Sequence, residues 1–449
     1  MAPTVAEFGA QLALAPPPRR YLIAYSGGLD SHVLLHLYSR LRATWAEPPG
    51  CQVLHVHHGL QDEADAWVEH CARVCRELSL PFQSLYVDAR ARQGDSPEEA
   101  ARDARYRALQ DRVEDGDVLL IAQHQDDQAE TLLLQLLRGA GLAGLAAMPK
   151  CAPFGSGYLL RPLLDWPRTA LQEYAEGQQL RWIEDPSNAD ASYDRNFLRL
   201  SVIPLLKARW PAASKTLSRS AGHCAEALHR LEHLARDLYL VVLNEDKVTL
   251  SVSRLLQLEQ ADRRWVLRQW LRERGYRLPA AAALERLAGE MLLAREDKMP
   301  VVAWPEGEVR RYRDALYLRA PAAPQDTAAV MEWNGTSALE LPDGNGILVA
   351  RSSGEGGIAL DAWRSARITV RYRQGGEVCR LPGRAGSHAL KKLLQEAGIP
   401  PWERTRLPLI ELNGALAAIA DRWVCDPFQA APGRPAIRIE WESKGGSGL

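Results

Sequence analysis

At 449 residues, with 46% hydrophobic and 25% charged residues, the chain has material for about three domains, and its composition excludes a collagenous, disordered or membrane-embedded class. No apolar run approaches the roughly 18 residues that would cross a bilayer, and Met1 to Pro18 has no basic residue ahead of Leu12-Ala13-Leu14-Ala15, so the expected location is the cytoplasm. The net charge of −1 hides an asymmetry: Leu198 to Ala320 carries 22 Lys+Arg against 15 Asp+Glu, and Trp363 to Glu440 carries 13 against 7, a pattern that suits a polyanion partner for the C-terminal part or a solvated charged helix surface.

In chain order, short β-type runs alternate with amphipathic helical patterns. Tyr21 to Tyr25, Gln52 to Val56, Phe82 to Val87 and Asp117 to Ala122 read as buried strands, with helices expected at Ser31 to Ala43, Glu63 to Ser79 and Pro97 to Glu114. Such alternation predicts an open α/β sheet whose ligands gather at the carboxyl ends of the strands. After Trp210-Pro211 the pattern turns to long Leu/Ala/Arg-rich helical stretches, Ala213 to Leu240 and Gln260 to Arg295, ended by Ala320-Pro321-Ala322-Ala323-Pro324. A Gly-rich stretch, Pro342 to Gly357, precedes a last segment, Ile368 to about Glu440, that mixes strand-like runs with one helix, His388 to Ala397. The expected domains are therefore 1–212, 213–325 and 368–441, with 326–367 as a linker region and a Gly/Ser-rich tail from Ser443.

Seven cysteines, an odd number scattered through a long chain, argue against a disulfide framework. Cys71 and Cys75 share their spacing with Trp67, Val68, Val74 and Leu78 on an apolar helix face, so core packing is expected rather than zinc.

The strongest local signal is a strand, the hexapeptide Ser26-Gly27-Gly28-Leu29-Asp30-Ser31, and then a helix. Gly27 and Gly28 let the backbone turn tightly and bring amides near an anion, and the helix N-terminus adds partial positive charge. It is not a Walker loop, because no lysine follows the glycines. A second constellation, Gln123-His124-Gln125-Asp126-Asp127-Gln128-Ala129-Glu130, follows the Asp117 strand. Asp127 and Glu130, three apart, put two carboxylates on one helix face, suited to an ammonium group or a magnesium ion, or simply to capping and the helix dipole. Glu99, Arg102 and Arg105 recur at spacing three, and His57 and His58 end the second strand near the expected nucleotide pocket. The polar run Glu184 to Asn188, continued by Asp194 to Arg199, reads as a substrate clamp. Gly139 to Gly144 fits GxGxxG but follows a helix, so no dinucleotide is expected there.

Ser-Gly-Gly-x-Asp-Ser resembles the signature of the PP-loop ATP pyrophosphatases, which split ATP between its α and β phosphates. Together with His55-Val56-His57-His58-Gly59-Leu60, Glu99 to Tyr106, His124 through Met148, Arg161-Pro162-Leu163 and Glu184 to Arg199, the chain resembles the bacterial tRNA(Ile)-lysidine synthetase family. Arg373-Gln374-Gly375-Gly376-Glu377 departs from that family's Arg-Pro-Gly-Gly-Glu at Gln374, while Leu390 to Leu394 and Ile399 to Trp402 fit. The resemblance implies a parallel-sheet α/β PP-loop domain, a mostly helical middle domain and a small α+β C-terminal domain. It also implies a two-step reaction on the wobble cytidine of the CAU anticodon: ATP and Mg2+ adenylate the base, and free L-lysine displaces AMP. On this reading Asp30, Arg105 and His124 are catalytic, and Ser26, Gly27, Gly28, Leu29, Asp30, Ser31 and His57 bind ATP, with Asp30 toward the metal. Asp127, Glu130 and Arg199 bind lysine, and Arg195, Arg373, Lys391 and Lys392 bind tRNA. The oligomeric state stays open between monomer and homodimer. A sulfur-inserting tRNA enzyme is the nearest rival, but Cys51, Cys71, Cys75 and Cys151 fall in no matched motif; a non-catalytic RNA-binding protein on the same fold is another.

Overall fold

The computed structural model describes residues 2–59, 63–88, 97–295, 298–321 and 328–442. Leu60, the Ala322 to Pro324 part of the expected boundary, the tail from Ser443 and the side chain of Glu99 lie outside the described residues. The chain forms two compact units, Met1–Leu231 and Glu232–Leu449.

The first unit opens with α1 (Val5–Leu12), started by a reciprocal cap between Thr4 and Glu7. There follow β1 (Arg20–Ala24), α2 (Leu29–Arg42), β2 (Gly50–His57), α3 (Ala64–Glu77), β3 (Phe82–Tyr86), α4 (Pro97–Gln110), β4 (Asp117–Leu120), α5 (Gln125–Leu137) and α6 (Leu142–Leu145). A hairpin of β5 (Cys151–Phe154) and β6 (Gly157–Leu160) leads to α7 (Arg168–Gly177), α8 (Asp194–Phe197), a π-helical turn Leu198–Val202, α9 (Ile203–Arg209) and the 30-residue α10 (Ala213–Val242), which continues past the unit boundary. The sheet order is β3-β2-β1-β4-β6-β5, with every pair parallel except β5–β6.

Strand residues alternate between two cores, which is why the runs read as almost continuously apolar. Tyr21, Ile23, Val53, Val118, Leu120 and Leu160 join α1, α2, α3 and α7 on one face, whereas Leu22, Leu54, Leu119 and Leu159 join Leu109 and Val113 on the other. Cys71 and Cys75 are fully buried in the first of these cores. The chain runs outward from β1 through β2 to β3 and then crosses to β4 on β1's other side. That reversal leaves a crevice at the carboxyl ends of β1 and β4.

In the second unit, β7 (Leu250–Ser251), α11 (Val252–Leu256), α12 (Gln260–Glu273), α13 (Ala281–Ala288) and α14 (Glu290–Leu293) pack on an antiparallel sheet of β8 (Val301–Trp304), β9 (Gly307–Tyr312) and β10 (Ala315–Arg319), in the order β7-β10-β9-β8. The helical stretch expected over Gln260 to Arg295 is thus three helices, broken between α12 and α13 by Gly275 at positive φ and Pro279, and between α13 and α14 by the non-helical Gly289. The strands beyond it, unanticipated, bury Val302, Val309 and Leu316 against Val266, Trp270 and Leu287.

Of the stretch 326–367, expected as a linker, the described residues 328–367 are instead part of the C-terminal fold. β11 (Val330–Trp333) pairs with β15 (Ile368–Arg371), while β13 (Ile347–Ser353), β14 (Ile358–Ala359) and α15 (Leu360–Ser365) lie beside β21 (Ala436–Glu442), which pairs with β13 from Ile347↔Glu442 to Ser353↔Ala436, and β12 (Leu339–Glu340) pairs with the other edge of β13. Glycine-rich turns disguised strands whose partners lie about 90 residues away. β16 (Val378–Cys379), β17 (His388–Ala389), α16 (Leu390–Glu396), α17 (Pro401–Arg404), β18 (Leu409–Leu412), β19 (Ala415–Ile419) and β20 (Trp423–Val424) complete it.

Candidate active site

The loop after β1 holds itself open with its own hydroxyls. Ser26 N donates to Ser31 Oγ at 3.2 Å, the two serine hydroxyls lie 3.0 Å apart, and Ser31 Oγ donates to Gly28 O at 3.0 Å. Gly27 has φ +87°, and Ile183 N donates to its carbonyl at 2.9 Å. A Cβ there would lie 2.6 Å from Ile183 Cδ1 and 3.0 Å from Cys71 Sγ, so glycine is required both by φ and by space. Gly28 is the extended cap of α2, which aims the helix's first amides and Asp30 into the crevice.

His124 caps α5 from the other wall. Its backbone N donates to Asp127 Oδ2 at 3.0 Å, and Asp127 N donates to His124 Nδ1 at 3.3 Å. Because Nδ1 accepts, the proton of the neutral ring sits on Nε2, which faces Asp30 Oδ2 at 3.6 Å and Asp127 Oδ2 at 3.5 Å. Burial alone would lower the proton affinity of this ring, but the carboxylates of Asp127 and Asp30 outweigh it and raise it. The other oxygen of Asp30, Oδ1, is buried without a hydrogen-bond partner, with Arg168 Nε 3.9 Å away.

Asp127 and Glu130 meet two arginines. Arg195 reaches Glu130 Oε2 at 2.8 Å and Asp127 Oδ1 at 3.0 Å; Arg199 reaches Glu130 Oε1 at 2.8 Å and Asp127 Oδ1 at 3.1 Å. Glu130 is 1% exposed. Burial pushes the Asp127 carboxyl up, but His124, Arg195 and Arg199 hold it below its ordinary value. Arg195, expected to reach RNA, is therefore turned inward with Arg199, and the acid pair expected to face an open crevice is already neutralised two charges to two. Spacing could not reveal this, because the partners lie 65 to 72 residues apart.

Other expected residues lie elsewhere. His57 Nε2 is 3.2 Å from Asp65 Oδ1 and its ring packs on Tyr86 at 4.8 Å, whereas its neighbour His58 has a buried, unpartnered Nδ1 and feels the charges of Asp185 and Arg105. Arg105 thus groups with His58. In the second unit Arg373 lies 3.4 Å from Glu377, whose carboxylate also accepts from the amides of Gln374 and Gly375. The Arg-Gln-Gly-Gly-Glu run is in that respect a self-capped turn, while Lys391 and Lys392 are exposed on α16. Asp126, Arg168 and Lys207 also lie around this site, and the sequence carries no pattern for them beyond the doubled Asp126-Asp127.

A family described as PP-loop domain matches residues 2–206, the TilS substrate binding domain matches 250–317, and the TilS substrate C-terminal domain matches 368–441. The chain is 48% identical over 427 residues to the tRNA(Ile)-lysidine synthase of Methylococcus capsulatus, covering 95% of this chain and 97% of that protein. The tRNA(Ile)-lysidine synthases of Coxiella burnetii (43%, covering 91% of this chain and 90% of the other) and Alkalilimnicola ehrlichii (44%, covering 97% of each) are similar along almost their whole length.

Proposed function

This chain belongs to the tRNA(Ile)-lysidine synthase family, and from that premise we propose that it ligates L-lysine to the wobble cytidine of the CAU anticodon of tRNA(Ile). ATP is consumed as substrate, giving pyrophosphate when the base is adenylated and AMP when lysine displaces it. The observation that carries this reading is the convergence of the phosphate loop after β1 with the His124, Asp127 and Glu130 turn after β4, the two joined by the 3.6 Å approach of His124 Nε2 to Asp30.

Amides of Ser26 to Ser31 and the start of α2 hold the pyrophosphate end of ATP. Oδ1 of Asp30, which accepts no hydrogen bond, suits a hard cation, which takes one or two carboxylates together with phosphate oxygens and water. Mg2+ bound there would offset charge building on the leaving pyrophosphate. His124 presents Nε2–H toward that carboxylate and holds a proton at the seam between the two walls.

Free lysine carries an α-ammonium and a carboxylate besides the side-chain amine that displaces AMP, so it enters by exchange. Its ammonium takes an oxygen of Asp127 or Glu130, and its carboxylate takes a guanidinium, Arg199 being the more exposed of the two at 31% against 14%. One acid–arginine pair opens, two pairs with the amino acid take its place and the other acid–arginine pair persists, so no charge is left buried alone. Residues 1–212 carry the chemistry; 213–325 and 368–441 supply the basic surface for RNA, and the protein works in the cytoplasm. Among the described residues no helix is long and apolar enough to cross a membrane.

A sulfur-inserting reaction needs a reactive thiol. Cys71 lies directly under Gly27, but it is fully buried and burial pushes its thiol up to about 12, so it does not supply a thiolate. Incubation with ATP, labelled lysine and total bacterial tRNA tests the proposal. Label is expected in an isoleucine tRNA with AMP and pyrophosphate released, and Asp30→Ala is expected to lower release at least about 100-fold. Label absent from tRNA, or near-normal turnover by Asp30→Ala, would overturn it.

A further inference from the structure

Asp126 sits beside the acid pair yet belongs to a different network. It is 7% exposed, and its Oδ1 accepts from Lys207 Nζ at 2.5 Å and from Ser214 Oγ at 2.6 Å, while Oδ2 accepts from the backbone N of Arg168 at 2.9 Å. One carboxylate thus joins the first turn of α5 to the starts of α7 and α10 and to the last turn of α9. Burial by itself would raise this carboxyl; the donors from Lys207, Ser214 and Arg168 instead pull it down to about 2.

The position of Lys207 matters because of what precedes it. Arg195 lies on α8 and Arg199 on the π-helical turn, and these run without a break into α9. From Arg199 to Lys207 is eight residues, about 12 Å of helix. A segment that short moves as a rod, so where Lys207 is fastened decides where the two guanidinium groups point.

We propose that Asp126 is a positioning residue for the amino-acid step: by fastening Lys207 and Ser214 it aims Arg195 and Arg199 at Asp127 and Glu130. The inference rests on the reading of that arginine and acid cluster as the lysine site. The side-chain hydrogen bonds of Lys207 and Ser214 go to Asp126 rather than to the phosphate loop, and the backbone contact from Arg168 survives loss of either side chain, so the two half-reactions separate.

Lys207 is about one-third exposed, so Lys207→Met should fold. Its KM for lysine is expected to rise about 10-fold, with tRNA-dependent pyrophosphate release at saturating lysine within about twofold of the parent. Lys207→Arg should restore the parent KM, and Ser214→Ala should shift the same constant in the same direction. Adding Asp126→Asn to Lys207→Met should cost little more, because the uncompensated carboxylate is removed with its partner. Equal shifts in the lysine and ATP constants, or an unchanged lysine constant in a folded Lys207→Met protein, would overturn the positioning role while leaving lysine transfer intact. A parent protein that transfers no lysine would remove the function and the inference together.

Discussion

At Gly27 two constraints meet in one residue, a backbone at φ +87° and a space too small for a Cβ, and together they fix the shape of the phosphate loop. Ser26 to Ser31 is legible because strand, glycines, cap and helix all fall within about fifteen residues, and the backbone chemistry of that succession admits few alternatives. The pairing of Asp127 and Glu130 with Arg195 and Arg199 was hidden, because nothing in a lone arginine says which distant carboxylate it will meet. The same limit concealed Lys207 and Ser214, 81 and 88 residues from Asp126. Gly27 is the sharpest test at this scale. Gly27→Ala must accept a residue at φ +87° and push Ile183 and Cys71 aside, so it should destabilise the protein by about 1–3 kcal/mol and slow pyrophosphate release by about 100-fold. Chemical denaturation and a pyrophosphate assay read the two effects, and parent-like values in both would show the loop tolerates a side chain.

Among the elements, the parallel strands announced themselves through runs buried on both faces, such as the wholly buried Asp117–Leu120. The β5–β6 hairpin did not, since Cys151-Ala152-Pro153-Phe154 is a partly exposed edge strand containing proline. Nor did β8 to β10, whose burial does not alternate cleanly, Gly307, Glu308 and Val309 being buried in succession, and which follow a stretch of helical composition. The fastening of α7, α9 and α10 to α5 makes a prediction about acid. The Asp126 carboxyl is pulled from its ordinary 3.8 to about 2 on folding, so its contribution, on the order of 2 kcal/mol, is fully present above about pH 5 and is lost as pH falls through 2. Asp126→Asn lacks that contribution throughout, so the gap in unfolding free energy between it and the parent should narrow from pH 5 to pH 2. A gap constant over that interval would mean the carboxylate is not held as a charge.

For the molecule as a whole, charge is the property that sequence alone displayed best. A chain with net charge −1 keeps an excess of seven basic groups between Leu198 and Ala320 and six between Trp363 and Glu440, so its affinity for tRNA should depend steeply on salt. Lys391→Ala and Lys392→Ala, both on an exposed helix face, should each weaken binding and reduce the salt slope by about 1. Unaltered slopes would move the RNA contact to another surface. The linker that proved to be sheet has a wider counterpart at Trp402. Its ring lies 5.4 Å from Tyr317 and 6.2 Å from Tyr312, beneath the guanidinium of Arg310 at 5.4 Å, and Arg404 donates to the Tyr312 hydroxyl at 2.9 Å. One indole thereby shares its packing between the β8–β10 sheet and the C-terminal module. Heat should melt residues 232–442 in a single calorimetric peak, and shaving that indole to a methyl should split the peak in two.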